Sequence, residues 1–435
     1  MPLGGGTWIT QNKILPGAYI NVISMARAIP TLSDRGVATI PYKGDWGALG
    51  EVVEVSSADM QRDSMKIFGF DYTNDVLKPM REIFKNSITC YFYRLGTGGA
   101  KAANTFATAK HVGIRGNNLS ITVSANVDNP ANYDVTLMFS GFTVDSQTVA
   151  SSADLQDNEF VTYIKTATLS AALNVPFTGG TNPTVQNADY QNYLNAIEPY
   201  SFNAIGCPSN DTAIKSLFTA FTKRMRDEQG VKFQCVTYDN PADFEGVINV
   251  LNKVTDAGAD EFSLIYWVTG TAAGTAVNRS ALNKIYDGEY TIDVNYTQSQ
   301  LITAIKSGQF TFHRVATNIR VLADINSLVT TTLEKGDIFK ENQTIRVIDQ
   351  IANDIAYVFN TKYIGQVPND NAGRISFWSD IVQHHMQLQD IRAIEGFTDS
   401  DVKVAQGNTK RAVVVSDAVS VVNAMAQLYM NVYVS

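Results

Sequence analysis

The hydrophobic rhythm changes several times along the chain. Period-2 alternation and compact apolar runs predict strands at Val37–Tyr42, Val52–Val55 and Ile88–Leu95, with a turn at Gly44-Asp45-Trp46-Gly47. Val76, Met80, Ile83 and Phe84 recur at helical spacing and predict a helix over Val76–Phe84. From Thr97 to Val185 the chain becomes rich in Thr, Ser, Asn, Val and Gly, with alternating segments at Leu119–Val123, Tyr133–Phe139 and Phe142–Val144. Asn-Pro and Ser-Gly turns separate these segments every ~8 to 12 residues, the spacing of a small β-sandwich.

Beyond this insert the pattern is α/β. Strands are expected at Phe202–Ile205 and Lys232–Tyr238, and a buried strand at Phe262–Val268. Helices are expected at Thr212–Arg226, where Ile214, Leu217, Phe218, Phe221 and Met225 form one stripe, and at Pro241–Lys253. Alternation of this kind indicates a parallel or mixed sheet with covered faces. A third texture begins at Gly336. Thr344–Phe359 is an amphipathic helix with Ile348, Ile351, Ala352, Ile355 and Phe359 on one side, and Ile375–Leu388 a second helix after the break at Asn369–Gly373. The tail returns to strand at Ala412–Val415 and Ala418–Ser435, where Leu428, Met430, Val432 and Val434 alternate with Tyr429, Asn431 and Tyr433. A strand at the end of a chain must pair its backbone groups with something.

The opposite end has the same character. Gly4-Gly5-Gly6 precedes the β-prone Thr7-Trp8-Ile9-Thr10, and Pro16-Gly17 stands before a strand expected at Ala18–Ser24. Such a leader is either disordered or completed by a partner strand elsewhere, and Trp8 favours the second reading because a large apolar side chain gains from burial. Five regions follow: 1–24, an arm and first strand; 25–96, the first part of an α/β region; 97–186, the β-sandwich; 187–335, an α/β domain; and 336–435, an α+β domain ending in a strand arm. The fold class is α+β multidomain, consistent with 435 residues and roughly two to four cores.

Composition narrows the function. A net charge of -8 argues against nucleic acid as a main partner, and Lys223-Arg224-Met225-Arg226 is followed at once by Asp227 and Glu228. Three cysteines, Cys90, Cys207 and Cys235, share no CxxC spacing and fit a reducing compartment. Met1–Thr10 carries neither a basic nor an apolar signal region, and no apolar run approaches membrane-spanning length. The four histidines, His111, His313, His384 and His385, lack metal spacing, so no metal, cofactor or catalytic residue is expected. Gly270-Thr271-Ala272-Ala273-Gly274-Thr275 lacks a phosphate-loop signature and reads as a βα connection. No GxSxG accompanies His313.

Several segments together resemble the contractile phage tail sheath family, in particular sheaths of phages and phage-tail-like particles of low-GC Gram-positive bacteria. They are Pro16-Gly17-Ala18-Tyr19-Ile20, Arg35-Gly36-Val37, Leu282 to Tyr290, Tyr296-Thr297, Ala304 to Gly308, Asp324 to Leu328, Val347-Ile348-Asp349, Tyr363-Ile364-Gly365, Asn369 to Arg374 and Ile391 to Phe397. Each motif is weak, but the ordered series covers most of the chain. The resemblance implies a subtilisin-like, non-catalytic sheath domain carrying the inserted β-sandwich, with a C-terminal domain and extended terminal arms.

It also implies a mechanism. Subunits polymerise around an inner tail tube, lend N- and C-terminal strands to a neighbour's C-terminal domain, and contract to drive the tube through a target envelope. The expected partners are other copies of the chain, the tail tube protein, and baseplate and tail terminator proteins, without nucleic acid or membrane insertion. The location is a virion or phage-tail-like particle assembled in the bacterial cytoplasm. On this reading Thr7, Trp8, Ile9 and Thr10, with Leu428, Tyr429, Met430, Asn431, Val432, Tyr433 and Val434, are the intersubunit arms. Thr344, Arg346 and Asn353 mark a tube-facing segment. The alternatives are another tube or shell protein, such as a type VI secretion-like sheath, and an α/β hydrolase or nucleotide-binding enzyme.

Overall fold

The computed structural model describes residues 32–434. The expected strand Ala18–Ser24 lies outside the described residues. The chain enters through β1 (Val37–Tyr42), then β2 (Val52–Ser56). Two short helices follow, α1 (Ser57–Arg62), started by a Ser56/Asp59 capping box, and α2 (Ser64–Phe68). Next come α3 (Lys78–Phe84) and β3 (Thr89–Arg94).

The insert holds β4 (Lys101–Ala103), β5 (Ala107–Val112), β6 (Leu119–Ala125), β7 (Tyr133–Phe139), β8 (Phe142–Val149), β9 (Val161–Tyr163) and β10 (Ala172–Pro176). They form two sheets, in the orders β10-β6-β7-β8 and β4-β5-β9. Alternate residues of β6 and β7 point inward, so that Leu119, Ile121, Val123, Val135, Leu137 and Phe139 are all buried. Ser140 and Gly141, both at positive φ, close the β7–β8 hairpin. The insert is fastened to the neighbouring domain by Trp46, fully buried in the sandwich core. Arg94 at the end of β3 adds donations to the carbonyls of Gly44, Gly47 and Val112, each at 2.9 Å.

The chain returns through α4 (Asn187–Ile197), β11 (Ala204–Gly206), α5 (Thr212–Lys223), β12 (Gln234–Tyr238), β13 (Val247–Val250), α6 (Leu264–Gly274), α7 (Gln298–Lys306), β14 (Gln309–Val315) and β15 (Asn318–Ala323). With β1 to β3 these strands build an eight-stranded sheet in the order β15-β14-β13-β12-β11-β1-β3-β2. Its interior is parallel, and β2 and β15 run antiparallel at the two edges. One face packs against α3 and α6 through Ile40, Phe92, Ile248, Met80, Ile83 and Trp267. The other packs against α4 and α5 through Ile205, Cys235, Tyr193 and Phe218.

Two expectations in this region fail. Pro241–Lys253 is not a helix: a loop with Asp243 at positive φ leads into β13, whose four residues are all buried. The helical spacing of Phe244, Val247, Ile248 and Leu251 is accidental, and the β-branched run decides the structure. Phe262–Val268 is not a strand, because Leu264 onward forms α6, with ten of its eleven residues buried. A helix buried on every side shows no hydrophobic period. Gly270–Thr275 is therefore the second half of a helix rather than a βα connection, and Gly270 and Gly274 press against the Ile83 and Asn86 carbonyls.

The C-terminal region contains α8 (Asn342–Val358), α9 (Asn371–Asp390), β16 (Ile394–Glu395), β17 (Val402–Gln406), β18 (Val413–Asp417) and β19 (Ser420–Val421). Strands β17 and β18 form an antiparallel hairpin, two-stranded among the described residues, and β16 pairs with β19. The strand expected over Ala418–Ser435 is reduced to the two residues of β19.

Candidate assembly surfaces

The termini carried the clearest functional expectation. Thr7, Trp8, Ile9 and Thr10 lie outside the described residues. At the other end the chain is tied down as far as Ala424. The Gln343 side chain donates to the Val422 carbonyl at 2.9 Å and accepts from the Ala424 amide at 3.0 Å, while Thr344 Oγ1 donates to Asn423 at 3.2 Å. From Met425 to Val434 the chain is exposed and joins no ladder of the described residues. Leu428, Tyr429, Met430, Val432, Tyr433 and Val434 are 70–92% exposed, Asn431 is exposed as well, and no ladder within the described residues includes this segment. An apolar stretch this long in water is unusual for a finished surface.

A second feature matches it. The β17–β18 hairpin has no third strand among the described residues, and on β18 Val414 and Val415 are 56% and 36% exposed. Two strands alone are marginally stable, and an open edge is a template for pairing. One side of the hairpin is seated by Trp378 of α9, whose indole nitrogen donates to the Val402 carbonyl at 3.0 Å.

The segment read as tube-facing points the other way. Thr344 and Arg346 are 1% exposed, and Arg346 donates to Asp324 Oδ2 at 2.6 Å and to the Arg279 carbonyl at 3.0 Å. Asn353, half-buried, exchanges hydrogen bonds with the Lys232 backbone at 3.0 and 2.8 Å. Polar side chains on an amphipathic helix ordinarily face water, but α8 lies between two cores and buries its polar side through ion pairs. At its C-terminal end Ala356 and Tyr357 are exposed, Tyr357 at 68%.

The residues considered for chemistry are dispersed. His111 lies edge-on to Trp46, where burial lowers its pKa to about 4. His313 sits on β14, and burial with the Arg320 charge lowers it too. The thiols of Cys90, Cys207 and Cys235 are buried and pushed up by that burial. Asp256 is engaged by Lys78 at 3.3 Å and by the Thr291 amide at 2.6 Å. Among the described residues no group of three His, Cys, Asp or Glu is placed to hold a metal, and no helix is long and apolar enough to cross a membrane.

Comparison with known proteins gives four family-model matches in chain order. They are the tail sheath protein Gp18 domain III N-terminal region at residues 35–95, the phage tail sheath protein beta-sandwich domain at 96–182, the central domain at 184–327 and the C-terminal domain at 334–435. The phage-like element PBSX protein XkdK of Bacillus subtilis (strain 168) is 31% identical, covering all of both chains. The crystal structure of a sheath tail protein from Desulfitobacterium hafniense is 34% identical and superposes with a TM-score of 0.79, over 90% of this chain and 93% of that one. The helical sheath of the anti-feeding prophage in its contracted state shares the fold, at 13% identity and a TM-score of 0.58, over 97% and 99% of the two chains.

Proposed function

The chain belongs to the phage tail sheath protein family, and from that premise we propose that its two termini are the links that join one copy to the next. It is a structural subunit of a contractile tail sheath. In the proposed link Leu428–Val434 leaves its own subunit and pairs as a strand with the open β17–β18 hairpin of a neighbour, and Thr7–Leu15 does the same from the other end. The observation that carries this reading is the coexistence, among the described residues, of an exposed, alternating strand sequence and a hairpin edge with no third strand.

The energetics suit a polymer. Each added backbone hydrogen bond contributes about 0.5–1.5 kcal/mol net, so a donated arm is worth roughly a few kcal/mol alone. Repetition over every subunit makes the links multivalent. Donation from head to tail does not close on itself and propagates as a helix. Fully extended, Met1–Leu15 reaches up to roughly 50 Å at about 3.3 Å per residue, enough to bridge to another subunit. In this account the polymer surrounds a tail tube and meets baseplate and terminator proteins at its ends, in a particle assembled in the bacterial cytoplasm. The α/β domain, subtilisin-like in arrangement, acts as a scaffold.

Deletion of residues 425–435 tests the proposal. The truncated protein is expected to stay folded, since the chain is anchored only to Ala424, and to give no cylinders by electron microscopy. Cylinders of normal length from the truncated chain would refute the C-terminal link.

A further inference from the structure

Two adjacent histidines on α9, His384 and His385, are both fully buried, and the function proposed above leaves them unused. Each is held by a carboxylate on a different element. His384 Nε2 is 2.9 Å from Asp354 Oδ2 on α8, and His385 Nε2 is 2.8 Å from Asp417 Oδ2 at the end of β18. The two Nδ1 atoms face each other at 3.3 Å.

This geometry constrains the protons. A carboxylate only accepts, so each Nε2 carries a hydrogen. Burial acts to raise Asp354, but hydrogen bonds from His384, Ser33 and Gln350 outweigh it and hold the carboxyl below its usual range. If both rings were neutral, their bare Nδ1 lone pairs would face each other in a site closed to bulk solvent. If both rings were fully protonated, two N–H groups would collide. Only one hydrogen between the two Nδ1 atoms satisfies every polar atom. That arrangement places one imidazolium and one neutral ring between two carboxylates, an environment in which a buried cation is compensated.

The shared hydrogen completes a continuous path. Ser33 Oγ donates to Asp354 Oδ1 at 2.5 Å and the Ser33 amide reaches Oδ2 at 3.3 Å, while Gln350 donates to the same carboxylate at 2.8 Å. Ser33 is the second of the described residues, after Leu32. At the other end Asp417 closes β18, a strand of the hairpin proposed above to accept a neighbour's arm. We propose that His384 and His385 share a single proton, and that this proton completes a strap from Ser33 to Asp417 holding the start of the described chain and the β17–β18 hairpin in one fixed relation.

The strap's role at the acceptor hairpin rests on the assembly reading above, but its proton count does not. The groups facing the pair are Asp354 from α8, Asp417 from β18 and the Phe397 ring, 5.1 Å from His385. Beyond Asp354 lies Arg35, whose guanidinium donates to the Ala272 and Thr275 carbonyls at the end of α6 and interacts electrostatically with that carboxylate.

The full chain labelled with 15N at histidine suits the test, because it holds only four such residues. Nitrogen-detected NMR is expected to show one protonated Nδ1 coupled to the unprotonated Nδ1 of the adjacent ring. Two bare Nδ1 atoms, or two protonated ones, in the wild-type protein would overturn the proposal, and this reading needs no variant to fold. In His385→Phe the coupled signal should vanish. The Ser33 and Ala418 amides should then exchange with solvent about tenfold faster or more, as expected for losing a charged hydrogen bond, with β12 unchanged. Unaltered exchange at both amides would refute the strap. Cylinder formation is scored separately by microscopy, so failure of the assembly reading leaves the proton result standing.

Discussion

Arg226 grips Asp349 through both ends of its guanidinium, Nη1 to Oδ2 at 2.6 Å and Nη2 to Oδ1 at 2.8 Å, with neither side chain more than 6% exposed. Arg226 follows α5 in the large α/β unit and Asp349 lies on α8, so this pair, with Arg346–Asp324, rivets the C-terminal region to the central sheet. Removing one partner of a buried pair strands a charge and typically costs about 3–5 kcal/mol. Arg226→Met is therefore expected to lower stability by about that amount in denaturant unfolding. Arg226→Met combined with Asp349→Leu should recover much of the loss, and a double variant no better than the single one would show that the pair is not the source.

A buried carboxyl on α3 sets a pH dependence. Burial raises the Glu82 pKa from 4.5 to about 7, against the opposing hydrogen bonds from the Glu289 amide and from Tyr286 Oη at 2.8 Å. The unfolded chain releases this proton near 4.5 and the folded chain only near 7, so between those values the folded state binds more protons. Stability then falls as pH rises through that window. The full difference is on the order of 3 kcal/mol. Glu82→Gln should flatten this part of the stability–pH curve, as read from urea midpoints at pH 4.5 and 7.5. A curve that keeps its slope would assign the dependence to another group.

Helix α6 approaches α3 so closely that a Cβ at Gly274 would overlap the Asn86 carbonyl, a backbone atom with little room to retreat. Gly274→Ala is expected to destabilise by about 1–3 kcal/mol despite its better helix propensity. Thermal unfolding checks the sign: a higher melting temperature would contradict the packing described for α6.

The open strand can be blocked without disturbing the subunit. Val414→Lys places a charge on an exposed edge position, which natural sheets use to prevent pairing, and should alter stability by less than about 0.5 kcal/mol. Cylinder formation should be lost while the melting temperature is unchanged. Sheaths assembling at the wild-type concentration would place the acceptor elsewhere.

Strand β7, Tyr133–Phe139, was legible end to end because one face is buried and the other is wet, so the alternation is written directly in the residues. Strand β1 was equally plain, a compact apolar run between Gly36 and the turn that begins at Gly44. Helix α6 was not legible, since complete burial erases the period that distinguishes helix from strand. The polar side of α8 misled for a related reason. Arg346 reads as tube-facing, with Thr344 and Asn353, until the fold brings its partner Asp324 against it. The histidine pair carries no spacing signal at all, because Asp354 and Asp417 reach it only through the packing of α8 and β18 around α9. The tail is the opposite case: its alternation is clear, yet among the described residues Leu428–Val434 find no strand to join.

Cryo-electron microscopy of the assembled polymer, at a resolution that traces the main chain, addresses that last point. The density should show Leu428–Val434 of one copy hydrogen-bonded along the β17–β18 hairpin of another, with the connection from Ala424 crossing between subunits. Density that instead folds each tail back onto its own subunit, leaving β18 unpaired in the polymer, would contradict the account.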